Sequence, residues 1–157
     1  KMAEYTYDVL KKYGPAAVED NRHHKVTKAL EDVTFINIAV TGVIANITKS
    51  FSQSALGHMM YDGVRTFFTQ EAKDALHGEI VAVALFTQLY YNKLSEQKEQ
   101  LKEFMRGMDM PLTLEELGVP CTEKNLKTLE DYLIDSPYVD PSPESLALLH
   151  EAMKQMQ

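Results

Sequence analysis

Residues Ser50 to Leu89 read SFSQSALGHMMYDGVRTFFTQEAKDALHGEIVAVALFTQL. Two apolar patterns with helical spacing sit on either side of a short linker, Thr69 to Leu76. In the first, Leu56, Met59, Met60, Gly63, Val64 and Phe67 recur every three or four residues. That spacing predicts a helix over Ala55 to Phe68 with one packed face. In the second, Gly78 to Tyr91, apolar residues surround the helix. Burial on nearly all sides is expected there, with polar groups only at the ends. His58 and His77 stand at the edges of the two patterns, each beside a glycine. His58, Asp62 and Arg65 make a polar stripe on the first helix. The stretch predicts a helical hairpin that presents two imidazoles to one metal or substrate pocket.

Further helices are predicted on both sides of the hairpin, and no segment alternates as a strand would. The fold class expected is all-α, a multi-helix bundle forming a single helical domain over residues 1–157. Upstream, MAEYTYDVLKKY gives a helix from Met2 to Tyr13 with Tyr5, Val9 and Leu10 inward. Gly14-Pro15 should end it and start a short helix to Arg22. Thr27 is placed to cap a third helix that runs to about Ala45 or Asn46, and its apolar residues nearly encircle it. That helix is expected at the centre of the bundle. Gly42 within it marks either a close approach or a kink. Asn46 to Ser54 reads as a polar connector with Ser54 as the next N-cap. Downstream, Ser95, Thr122 and Ser142 or Pro143 should open three amphipathic helices. Thr113 and Glu116 fit a capping box on a single helical turn, which Gly118 stops.

The chain has 157 residues and a formal net charge of -7. Tracking phosphate backbones needs a basic footprint, so a nucleic-acid partner is not expected. The cluster Arg22-His23-His24-Lys25 is too short to supply one and reads as a solvated turn. One cysteine, Cys121, excludes an intrachain disulfide and suits a reducing, cytoplasmic compartment. No window of about 18 apolar residues is free of charge, so no membrane span is expected.

The chemistry centres on His58 and His77. Imidazole ligates zinc, iron, cobalt and nickel. A catalytic zinc commonly takes three protein ligands, so two histidines make only part of a site. Asp62, four residues after His58 on the same face, is the carboxylate placed to serve as a substitute ligand or as a neighbour that orients an imidazole. Ligation, satisfaction as core or interface histidines, and general acid or base work all remain open for the pair. The positive end of the helix after His77 disfavours a cation unless an anion such as Glu79 or Asp74 compensates. The same field favours a neutral imidazole, which ligation requires. No H-E-x-x-H, C-x-x-C, G-x-G-x-x-G or G-x-S-x-G motif is present.

Five segments occur in one order: YDVLKKYGPAA, VTKALEDVTFINIAVTG, SALGHMMYDG, HGEIVAVALFTQL and MPLTLEELGV. Together they resemble the C-terminal helical domain of the iron-containing alcohol dehydrogenase superfamily, nearest its glycerol dehydrogenase branch. The resemblance spans about Tyr5 to Ile134. It implies a divalent metal, zinc or iron, with His58 and His77 matching the two histidine ligands of this domain. The third ligand, an aspartate in glycerol dehydrogenase-like members, lies upstream and has no match here. The N-terminal domain that binds NAD(P) has no match either. Many members carry another histidine soon after the first, where this chain has Tyr61 and Asp62. In a complete enzyme of this kind the metal acts as a Lewis acid on an alcohol or polyol, and hydride passes to the nicotinamide. The function implied is the metal- and substrate-binding portion of an NAD(P)-dependent alcohol or polyol dehydrogenase, inactive alone. The alternative is a free-standing helical scaffold that binds a partner or self-associates into a homo-oligomer.

Overall fold

The computed structural model describes residues 1–48 and 55–157. Among the described residues the regular elements are helices, with no strands. The chain is all-α, as its periodicity predicts. It packs as two compact units, Lys1–Gln53 and Ser54–Gln157.

The first unit holds α1 (Met2–Arg22), α2 (Lys28–Phe35), a π-helical turn (Ile36–Val40) and α3 (Thr41–Thr48). The expected break at Gly14-Pro15 does not occur: α1 runs through Pro15. An internal proline costs about 3 kcal/mol through a lost backbone bond and a clash one turn back. Lys11, whose carbonyl loses its partner, is exposed, so water can replace that bond. Thr6, Gly14 and Ala17 are buried on one face, where α2 packs against α1. The helix is continuous across a local signal to stop, with α2 packed against it. Tyr5, expected inward, is 61% exposed. Thr27 caps α2 as predicted, its hydroxyl accepting from the Leu30 N–H at 3.4 Å. The same hydroxyl donates to the Asp20 carboxylate of α1.

The third predicted helix is not central. Ile36 alone is buried between Lys28 and Ile47, and Phe35, Ile38, Val43 and Ile47 are 47–73% exposed. The stretch Lys28–Ile47 is long and apolar enough to cross a membrane, by length and composition only. Its charges, Lys28, Glu31 and Asp32, gather at one end, and the uncharged run that follows them is shorter than 18 residues. A Cβ on Gly42 would meet nothing within 4 Å among the described residues, so no close approach of a described element explains this glycine. It follows the π turn, where the regular hydrogen-bond ladder is interrupted. The helix continues past Asn46 to Thr48; the proposed Ser54 cap lies outside the described residues.

The second unit holds α4 (Leu56–Phe67), α5 (His77–Tyr91), α6 (Ser95–Arg106), α7 (Glu123–Ile134), α8 (Pro143–Met153) and a 3-10 turn (Lys154–Met156). α5 is its axis and packs against α4, α6, α8 and the 3-10 turn. Val83 and Phe86 are fully buried, with Met60 and Ile80 at 1% exposure. Each such side chain contributes about 1.5–3 kcal/mol. The interior of α5 is not wholly apolar: Thr87 is fully buried and its hydroxyl has no hydrogen-bond partner among the described residues. Thr122 and Ser142 cap α7 and α8 as predicted. Ser95 does not cap α6; it is the first residue, behind Leu94. Thr113 and Glu116 meet in a turn rather than a helix and make half of the predicted box: the Glu116 N–H donates to the Thr113 hydroxyl at 3.2 Å, while the Glu116 carboxylate accepts from the Leu112 N–H at 2.6 Å.

Long-range polar bonds lock this unit. The Tyr91 hydroxyl lies 2.5 Å from the Ser145 hydroxyl and accepts from the Asp140 N–H at 3.1 Å. Lys98, 9% exposed, donates to the Gln155 side-chain oxygen at 2.6 Å. The Leu114 N–H donates to the Met156 carbonyl at 3.0 Å. The carboxylate of Glu130, 7% exposed, lies 2.9 Å from His150 Nδ1.

Candidate functional site

α4 starts at a backbone that can come very close to α5. A Cβ on Gly57 would lie 3.4 Å from Gln88 Oε1 and 3.6 Å from Leu85 Cδ2. The residue before α4, Ala55, offers no side-chain cap. The Gly57 N–H instead donates to Gln88 Oε1, 2.9 Å away on α5. One of the unpaired N–H groups of the first turn is thus satisfied from across the hairpin. This bond fixes the backbone beside His58.

His77 is the first residue of α5. It is exposed, while His58 is half-buried. Their ring centroids are 6.1 Å apart, with planes inclined at 45°. The two imidazoles that the sequence singled out therefore share one corner of the α4–α5 hairpin. Tyr61, one turn after His58, presents its ring edge-on to His77, with centroids 4.4 Å apart and planes at 70°. Arg65, one turn further along α4, holds its guanidinium carbon 5.6 Å from the centre of the Tyr61 ring. The same guanidinium bonds the carbonyls of Ala72 and Ala75 in the loop that leads to His77. Glu79 accepts from the Leu76 N–H at 2.7 Å. Its carboxylate sits at the positive end of α5 and offsets the field that would oppose a cation beside His77.

Two imidazoles on one tetrahedral ion, each about 2.0–2.1 Å from it, place their ring centres about 5 Å apart. By ring separation the observed pair lies about 1 Å beyond that spacing. Among the described residues no group of three or more His, Cys, Asp or Glu could hold an ion. Asp62 is exposed and does not join the pair in such a group. Residue spacing alone missed the parts played by Tyr61, Arg65 and Gln88. Arg65 belonged to the visible polar stripe, but its loop partners are carbonyls and leave no mark in a sequence.

A cavity of about 710 Å³ borders the same loop on another side, lined by Glu71, Asp74, Glu79, Arg106, Asp109 and Glu116 among others, and neither histidine reaches it. Cys121 is half-buried; burial, and then the nearby Glu115 charge, push its thiol above the ordinary range.

No family model matches the chain. Glycolaldehyde reductase of Halobacterium salinarum is 29% identical over 127 residues, covering 79% of this chain and 33% of that protein. Glycerol dehydrogenase 1 of Schizosaccharomyces pombe is 30% identical over 122 residues, covering 76% of this chain and 26% of that protein. Among solved structures, a probable glycerol dehydrogenase from Sinorhizobium meliloti superposes with a TM-score of 0.79 at 20% identity, covering 99% of this chain and 44% of that one. The chain thus spans about a third or less of the length of these curated relatives. The chain is a C-terminal-like helical domain related to the glycerol dehydrogenase and iron-containing alcohol dehydrogenase family.

Proposed function

We propose that this chain is the metal- and substrate-binding portion of an NAD(P)-dependent alcohol or polyol dehydrogenase, and that polypeptide outside it supplies the nucleotide-binding domain. The observation that carries this is the 6.1 Å approach of the His58 and His77 rings, in a chain related to such dehydrogenases. His58 and His77 would hold a divalent zinc or iron. The remaining carboxylate ligand would come from the nucleotide-binding part, with Asp62 orienting an imidazole or serving as a substitute ligand. The bound ion supplies Lewis acidity toward an alcohol oxygen. The work of this chain is positional: Gln88 sets the backbone beside His58, Glu79 balances the charge at the start of α5, and the hairpin holds both rings at one corner. The single cysteine fits a cytoplasmic setting.

With two ligands of three, the chain alone should bind zinc weakly and should not reduce NAD. The test is a zinc titration followed by NMR of the imidazole carbons. Both His58 and His77 should shift along one binding curve, with affinity weaker than micromolar, and His58→Ala should abolish the response at His77. Independent curves for the two rings would refute a shared ion. Sub-micromolar binding would refute the missing ligand and implicate Asp62. A second reading, a scaffold that self-associates or binds a partner, is favoured by exposed Phe35, Ile38, Val43 and Ile47. A strictly monomeric chain at high concentration would count against self-association.

A further inference from the structure

Arg65 leaves the polar stripe of α4 and reaches the loop ahead of α5. Its two terminal nitrogens donate to separate carbonyls, Nη1 to Ala72 at 2.9 Å and Nη2 to Ala75 at 2.6 Å. Ala75 lies two residues before His77. The guanidinium also covers the Tyr61 ring, and the edge-on contact of Tyr61 continues to the His77 imidazole. One half-buried side chain thus reaches His77 by two routes, through the backbone and through a ring. The chemistry is particular to arginine: a planar fork can satisfy two carbonyls and stack on an aromatic face at once, whereas an ammonium acts as a point charge.

We infer that Arg65 is the positioning residue for His77, holding its imidazole toward His58 through the Ala72 and Ala75 carbonyls and the Tyr61 ring. Its purpose rests on the shared metal site proposed above, but the geometry is measurable without metal. The experiment compares the whole chain with Arg65→Lys and Arg65→Gln, by NMR of the His77 and Tyr61 rings, first metal-free and then with zinc chloride. Wild type should show a ring-to-ring Overhauser effect between Tyr61 and His77. Both variants should lose it, and their His77 resonances should move toward those of free histidine. The zinc needed to shift His77 should rise about tenfold, as is usual when a supporting partner of a ligand is removed. Equal loss in Arg65→Lys, which keeps the charge and the aliphatic stem, assigns the effect to the forked pair of bonds. Retention of the ring contact and of the His77 resonances in a folded variant overturns the inference. Arg65→Lys is the milder change and decides alone if Arg65→Gln does not fold. A wild-type chain indifferent to zinc would defeat the metal reading, while the metal-free ring contact would still decide the role of Arg65.

Discussion

Replacing Gly118 by alanine should destabilise the chain far more than the addition of one methyl group implies. Gly118 has φ of +91°, and a Cβ there would lie 2.3 Å from the Glu71 carbonyl oxygen and 3.3 Å from the carbon that bears it. Two costs combine. A left-handed backbone costs a non-glycine residue about 1–2 kcal/mol. The contact with Glu71 is with backbone rather than a pliable side chain, so one strand of loop must move away from the other; overpacking of this kind costs about 1–3 kcal/mol. Alanine recovers about 0.4–1 kcal/mol by restricting the unfolded chain. The net loss is about 2–4 kcal/mol. With a urea dependence of about 2 kcal/mol per molar, the unfolding midpoint should fall by about 1–2 M. The internal control is Gly42→Ala. Gly42 lies in helix, has no positive φ, and has nothing among the described residues within 4 Å of its would-be Cβ. Helix propensity alone should leave that variant unchanged or more stable by up to about 1 kcal/mol. Urea unfolding followed by circular dichroism checks both. A Gly118→Ala midpoint within error of wild type, or an equal fall in Gly42→Ala, would refute the reasoning.

Other perturbations have equally definite signs. Tyr91→Phe removes a hydroxyl shared between Ser145 and the Asp140 N–H, and should cost about 1–2 kcal/mol in urea unfolding. His150→Ala takes away the close partner of buried Glu130 and leaves Lys127 at 3.8 Å; a loss of about 1–3 kcal/mol at neutral pH is expected by the same assay. Asp140 is held below its ordinary value of 3.8, first by the hydrogen bond from the Ser142 side chain and then by that from the Ser142 N–H. A depressed carboxyl stabilises the fold above its unfolded value and ceases to do so as pH falls through its folded value. The stability gap between wild type and Asp140→Asn should therefore be full above pH 3.8 and close as acid is added below it. Because burial raises the Cys121 thiol, iodoacetamide at pH 8 should alkylate it more slowly than it does free cysteine, with mass spectrometry as the readout.

The hairpin was legible because both of its signals were local. The periodicity from Leu56 to Val64 and the apolar run from Ile80 to Phe86 reported burial directly, and each histidine sat at the edge of its pattern. Thr27, Thr122 and Ser142 were legible as caps for the same reason: each hydroxyl bonds an N–H three residues on. The errors came where long-range packing overrode a local signal. Gly14-Pro15 looked like a stop, but α1 is continuous across it, with α2 packed against it. Apolar content from Leu30 to Ile44 looked like a core, yet Ile38 is 73% exposed. Composition shows that a side chain would gain from burial, not that anything covers it. The supports around His77 were illegible because the partners of Arg65 are main-chain oxygens, identical at every residue.

The π turn at Ile36–Val40 has a consequence for the surface of its helix. An ordinary helix advances about 100° per residue, so its stripes can be drawn by counting in steps of 3.6. A widened turn inserts an additional residue into that count. The face of α3 is thereby rotated out of phase with that of Lys28–Phe35. Deleting a single residue within 36–40 would reset the phase and swing the Val43 and Ile47 side of α3 by about a quarter-turn, with little change in overall composition.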